Sequence, residues 1–248
     1  MRIQVGSGEV PLPGFVNVDI RAVEGVDVVG HAGDLGRFAA GSAELVFGHS
    51  FFEHLFVAHQ MPALREWTRV LAPGGLLLIM GIPDFTEIAR LYVARARGIV
   101  GDRFDLFNVY RYTHGVPEIG ADNVWKDWSP GAHPDAAPRG WLPQLHKALF
   151  DAGYLYELTE ACDLESLVFR YCFPGEPYPL SLGLVAASRR RPAAAPPGPG
   201  RLGVGGVVEI LRGIPTVERF ADLGTVALCP RPEQGDLLFD YVRKGSPP

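Results

Sequence analysis

Lysine is nearly absent from this sequence. Three (Lys126, Lys147 and Lys244) stand against twenty arginines, and the net charge is −5. A duplex-binding domain carries a basic face, so the acidic balance argues against nucleic acid as a partner. Arginine excess with little asparagine reads as the composition bias of a GC-rich genome, and it suits a bacterial specialised pathway. Cysteine is scarce too: Cys162, Cys172 and Cys229 form no C-x-x-C pair. An odd count without pairing excludes a disulfide framework and fits a reducing cytosol. No apolar run approaches the ~20 residues that span a bilayer. No basic stretch followed by an apolar one opens the sequence, so no secretory signal is read. The expectation is a cytoplasmic protein with no membrane partner.

What is present suits a globular chain. Its 248 residues, 47% hydrophobic and 21% charged, can bury one sizeable core. The first half alternates strand-like and helix-like segments, which predicts an α/β sheet. Strands are expected at Arg2–Val5, Phe15–Ile20, Val26–Gly30 and Glu44–Gly48. A helix over Met61–Leu71 follows from Met61, Leu64, Trp67 and Leu71 at helical spacing. Pro73-Gly74-Gly75 stops it. Leu76–Ile82 is a continuous apolar run, as in a central strand covered on both faces. Asp84 is placed to cap a helix over Phe85–Arg97, with Glu87 three residues on as in a capping box.

The pattern dissolves over residues 98–140, which hold Tyr110, Tyr112, His114, Trp125, Trp128 and His133 among glycines and prolines. So long an irregular, aromatic segment inside a domain points to function. Periodicity returns as a helix over Leu142–Ala152, stopped by Gly153, with strands at Tyr154–Thr159 and Leu182–Ala187. Pro192–Gly200 contains only Pro, Ala and Gly, a linker composition. The tail Leu202–Val242 is too apolar for a solvated extension. The division is therefore a domain over 1–191 with a substrate-pocket insertion at 98–140, a linker over 192–201, and an extension over 202–248 that docks on the core or a partner subunit.

Gly6-Ser7-Gly8 after the first strand lets the backbone approach a ligand closely, although a tight turn needs the same residues. Asp19 ends the second strand, where nucleotide-binding folds keep an acid for ribose hydroxyls; a turn residue would look alike. Asp34 follows the third strand. Neither acid is decisive alone, but their order and spacing are informative.

The runs QVGSGEVPLPGFVNVDI (Gln4–Ile20), Gly33-Asp34-Leu35, HSFFEHL (His49–Leu55) and LREWTRVLAPGGLLLIMGIPDF (Leu64–Phe85) resemble class I S-adenosylmethionine (SAM)-dependent methyltransferases. They are closest to the methyltransferase type 11-like subgroup that reads "pGwvNvD…EHl…RVLkPGG…PDf". The resemblance implies a Rossmann-like, mostly parallel sheet with helices on both faces, a methyltransferase activity, and SAM as cofactor. Val5, Gly6, Ser7 and Gly8 would then face the methionine part of SAM. Asp19 and Ile20 would meet the ribose, Asp34 and Leu35 the adenine end, and His49 and Ser50 the sulfonium.

One departure stands out. Only Glu9–Gly14 separate Gly8 from the second strand, where the family has a helix. Six extended residues reach roughly 20 Å, enough to return along a strand of roughly 17 Å. A missing helix would leave part of one sheet face bare. The apolar tail is expected to cover that gap, close over the substrate, or form a homodimer contact.

Methyl transfer to oxygen or nitrogen needs alignment of the acceptor and, for a hydroxyl or protonated amine, removal of a proton. His54, His114 and His133 are the catalytic candidates, because imidazole titrates near neutral pH. Tyr110, Trp125 and Trp128 are candidates to stack on a small-molecule acceptor. The His31–Asp34 run has no partner at ligand spacing, so no metal site is expected. Competing readings are a non-catalytic SAM-binding scaffold, a nucleic-acid methyltransferase and a nicotinamide-dependent enzyme. The second lacks the Asn/Asp-Pro-Pro-Tyr/Phe run. The third lacks a third glycine and the helix that would receive a pyrophosphate.

Overall fold

The structure is a computed structural model that describes residues 1–99, 101–114, 145–172, 176–189, 198–199, 203–214 and 226–231. Its centre is an eight-stranded sheet in the order β3-β2-β1-β4-β5-β7-β6-β8. The strands are β1 (Arg2–Val5), β2 (Val16–Asp19), β3 (Val28–Val29), β4 (Ala43–His49), β5 (Leu71–Pro83), β6 (Leu164–Tyr171), β7 (Ser181–Ser188) and β8 (Val226–Leu228). β1 pairs in parallel with β2 and β4; β2–β3 and β4–β5 are also parallel. β7 runs antiparallel to β5 and β6, and β8 antiparallel to β6. The first five strands thus follow the doubly wound order, in which the chain leaves β1 to one side and returns on the other at β4.

Alternate residues of each strand face opposite layers. Ile3, Val46, Leu77 and Ile79 pack with Trp67 of α1 (Val57–Val70) and Leu155 of α4 (Ala152–Ala161). Leu45, Phe47, Leu78, Met80 and Val185 face the other way. There they meet Leu12 and Phe15 of the β1–β2 connection and Val207 and Leu211 of α5 (Val204–Arg212). Helices therefore cover both faces. A third cluster joins Ile88 and Leu91 of α2 (Phe85–Val93) to Phe104, ahead of α3 (Leu106–His114).

The short first crossover is held without a helix. A helix would satisfy its own backbone; here two buried side chains of the sheet do so instead. Gln4 Oε1 and Asn17 Oδ1 both accept from Leu12 N, each at 2.9 Å, while Gln4 Nε2 donates to the Val10 carbonyl at 3.1 Å. Asn17 Nδ2 also donates to Asp27 Oδ2 at 3.1 Å.

Several expected elements move. α1 begins at Val57 rather than Met61 and carries Pro62 inside it. Asp84 does cap α2, accepting from Thr86 N at 3.0 Å and Glu87 N at 3.4 Å. Glu87 turns instead to Arg90, whose Nε donates to it at 2.9 Å. The helix expected over Leu142–Ala152 is not formed at 145–151. Asp151 caps α4, accepting from Tyr154 N at 2.7 Å, and Gly153 lies inside that helix rather than ending one. Tyr154–Thr159 is accordingly helical, and the strand follows at Leu164–Tyr171. Part of the irregular 98–140 segment is the helix α3, capped by Asp105, whose Oδ1 accepts from Phe107 N and Asn108 N at 3.0 and 3.1 Å. Among the described residues no helix is long and apolar enough to cross a membrane.

Candidate functional site

The carboxyl ends of β1 and β4 flank the point where strand order reverses, where open α/β sheets bind ligands. A cavity of about 640 Å³ opens there, within the range of small-molecule sites. One wall is the Gly6-Ser7-Gly8 turn. Gly6 and Gly8 have φ of +66° and +54°, torsions that side chains resist. A Cβ on Gly6 would lie 2.2 Å from the Phe51 ring. The Ser7 hydroxyl, in a residue 4% exposed, is buried with no hydrogen-bond partner among the described residues.

Asp19, 8% exposed, ties this turn to the end of β2. Its Oδ2 accepts from Gly8 N at 2.8 Å, and its Oδ1 from Arg21 N at 2.9 Å and Arg21 Nε at 3.3 Å. A carboxylate oxygen carries two lone pairs, so Oδ2 retains acceptor capacity, and Asp19 lines the cavity. Ile20 beside it is 62% exposed and lines the cavity. A cradle of left-handed glycines, an orphaned hydroxyl, a carboxylate with acceptor capacity and an apolar neighbour fit an amino-acid-bearing nucleoside such as SAM.

The opposite wall comes from the end of β4 and the 3₁₀ turn Phe52–His54. Burial lowers the His49 pKa to about 4, so its imidazole is neutral at pH 7. Ser50 has φ of +47° and donates its N–H to the Met80 carbonyl at 2.8 Å. A non-glycine residue held there is strained, a condition common at functional sites. His54 Nδ1 lies 3.2 Å from the Leu145 carbonyl. A carbonyl only accepts, so Nδ1 carries the proton and Nε2 carries the lone pair. Burial, the largest influence, lowers the His54 pKa. His31, His59, Phe56 and Lys147 complete the rim.

Of the residues expected at the cofactor, Gly6, Ser7, Gly8, Asp19, Ile20, His49 and Ser50 line this one cavity. Val5 is buried beneath it, and Leu35 belongs to the core. Asp34 is exposed and accepts from Gly36 N at 3.2 Å in its own turn; His31 and Ala32 line the cavity in its place. Among the catalytic candidates His54 lines the cavity. His114 stacks on Tyr110 with centroids 4.4 Å apart, and neither lines it. His133, Trp125 and Trp128 lie outside the described residues.

Residues that sequence spacing did not indicate are Arg21, Phe51, Glu53, His146 and Lys147. Glu53 is 2% exposed, and burial pushes its carboxyl up to about 8. The 145–147 segment is pinned by Lys147 N donating to the Glu53 carbonyl at 2.8 Å and His146 N to the His114 carbonyl at 3.1 Å.

Residues 13–79, from just before β2 into β5, match the family model for a methyltransferase domain. Over that segment, which includes Asp19, His49 and His54, the chain is similar to methyltransferase domains. The chain is similar in fold to a SAM-dependent methyltransferase from Thermotoga maritima, at 14% identity over 76% of this chain and 82% of that one, with a TM-score of 0.45. It is also similar to a SAM-dependent methyltransferase from Archaeoglobus fulgidus, at 14% identity over 75% and 84%, with a TM-score of 0.44. The small RNA methyltransferase HEN1 is similar at 12% identity over 79% of this chain and 24% of that one, with a TM-score of 0.39. No curated protein matches the chain significantly.

Proposed function

We propose that this chain transfers a methyl group from SAM to an oxygen or nitrogen of a small-molecule acceptor. The observation that carries this reading is one cavity holding both the glycine turn with Asp19 and, opposite them, His54. When bound, SAM supplies an electrophilic methyl group on a sulfonium. The chain's own residues do the rest. Gly6 and Gly8 bring backbone close to the donor, Asp19 accepts hydrogen bonds from the hydroxyls of its ribose, and Ile20 offers an apolar face beside it.

The acceptor's nucleophilic atom lies toward the His54 wall. His54, neutral and with a lone pair on Nε2, is the group there that can hold or take its proton. Phe51, Phe56 and His59 give that wall an aromatic lining suited to a planar or partly apolar acceptor. An acidic chain with three Lys favours such an acceptor over a nucleic acid. Three free thiols, Cys162, Cys172 and Cys229, support action in a reducing compartment such as the cytoplasm. Biosynthesis of specialised metabolites is the setting that the composition suits.

The test is transfer of labelled methyl from SAM to a panel of phenols, sugars, amines and short RNAs. Incorporation into a phenol, sugar or amine is expected. Incorporation into RNA alone would overturn the acceptor class, and binding of SAM without transfer to any of them would favour a scaffold.

A further inference from the structure

Beside the cavity, Glu53, His54 and His146 each offer one ligand atom, and the three atoms lie within 4.8 Å of one another. Residues from two separate segments of the chain meet here, 145–147 being fixed by backbone bonds to Glu53 and His114. Both imidazoles are oriented alike. His54 Nδ1 donates to the Leu145 carbonyl at 3.2 Å and His146 Nδ1 to the Tyr112 carbonyl at 3.0 Å. That leaves the two Nε2 lone pairs as the ligand atoms, the second-shell arrangement usual for metal-bound histidine. The rings meet edge to face with centroids 5.1 Å apart, and His54 Nε2 is 3.7 Å from Glu53 Oε1.

Glu53 supplies the second, independent sign. Its side chain is 2% exposed, and Oε2 is buried with no hydrogen-bond partner among the described residues. A buried, unsatisfied carboxyl oxygen costs free energy and calls for an explanation, a bound ion being one. We propose that Glu53, His54 and His146 form a site for a divalent transition-metal ion of the zinc type at the acceptor wall of the cavity.

Two imidazoles and one carboxylate are the ligand set of open zinc sites, and the nitrogen ligands favour zinc over magnesium. Ligands at about 2.0–2.1 Å around tetrahedral zinc stand about 3.3 Å from one another, so these atoms, within 4.8 Å of one another, would draw closer on binding. His54 also lines the cavity, which leaves the fourth position for an acceptor oxygen. This departs from the expectation of no metal, because Glu53 and His146 lie too far apart in sequence to form a spacing motif. Metal binding stands on its own geometry; only the role toward the acceptor rests on the methyltransferase reading. With zinc in place, His54 would serve as a ligand rather than a base, and the ion would acidify an acceptor hydroxyl.

The experiment strips the full-length chain with chelator, then titrates it with Zn²⁺ against a chromophoric indicator and, separately, with Co²⁺ followed by visible absorption. One equivalent of Zn²⁺ and a four-coordinate Co²⁺ spectrum are expected. Glu53→Gln and His146→Ala should each weaken Zn²⁺ binding about 100-fold, at the upper end of the effect of losing an outer-shell partner. His59→Ala, at the rim but outside the set, should leave Zn²⁺ affinity unchanged. Failure of the wild-type chain to bind one equivalent overturns the proposal whatever the variants do, as does equal loss in His59→Ala. A SAM titration on the same sample separates the two ideas: SAM bound without zinc sinks only the metal site, and zinc bound without SAM sinks only the methyltransferase reading.

Discussion

Asp19→Ala is the perturbation that bears most directly on the cofactor assignment. The Asp19 carboxylate accepts three hydrogen bonds within the chain, from Gly8 N, Arg21 N and Arg21 Nε. It also faces the cavity. A hydrogen bond to a charged group contributes about 1.5–3 kcal/mol, and every 1.4 kcal/mol is about tenfold in affinity. Loss of one ribose bond therefore raises the Kd for SAM by roughly 10- to 150-fold. Freeing Gly8 N–H adds to this by loosening the glycine turn. Arg21→Ala is the control. Its side chain is 36% exposed and its contact with Asp19 is long, at 3.3 Å, so a contribution of about 0–1 kcal/mol should move the Kd less than about fivefold. Isothermal titration calorimetry reads both, with circular dichroism to confirm folding. A folded Asp19→Ala protein whose Kd stays within threefold of wild type would refute the ribose assignment.

Asn17→Leu should destabilise the chain by about 1–3 kcal/mol in urea unfolding, because Asp27 Oδ2 loses a donor and Leu12 N one acceptor in a buried setting. A change under about 0.5 kcal/mol would mean that the crossover is held by other contacts. The contribution of His49 to stability should fall as pH drops from 6.5 toward 4. His49 stays neutral when folded, to a pKa of about 4, while the unfolded chain takes up the proton. The loss is about 2–3 kcal/mol and is absent above 6.5. His49→Gln should remove that contribution and leave those of His146, whose pKa is also lowered to about 4, and Glu53, and an unchanged pH profile would contradict the assignment. Removing residues 195–248 should expose the face formed by Leu45, Phe47 and Leu78. With Val207, Leu211 and Ile214 buried there, the expected loss is roughly 4–9 kcal/mol, read as a lower Tm or as aggregation. Unchanged stability, activity and oligomeric state would show that the tail serves none of these.

The first half of the fold was legible because it is written in local signals. Short apolar strands end in glycine or acid, α1 ends at Val70 close to its expected end although Pro73-Gly74-Gly75 falls within the opening of β5, and the apolar run of β5 can only be a covered central strand. The second half misled for local reasons too. Gly153 reads as a stop, yet Asp151 capping two residues earlier turns it into a first-turn residue. α3 was hidden by Asn108, Tyr110 and Thr113, poor helix formers, although Asp105 was a readable cap. The proposed cofactor wall follows strand ends, which is why its residues are legible in the sequence. The acceptor wall is not, because Glu53 and His146 meet only through tertiary packing and no spacing encodes that contact.

The most direct measurement is a crystal structure of the chain grown with S-adenosylhomocysteine. The account predicts the nucleoside in the cavity between Gly6–Gly8 and His54, with ribose hydroxyls on Asp19. The same compound bound away from Asp19, or absent from that cavity at saturating concentration, would contradict it.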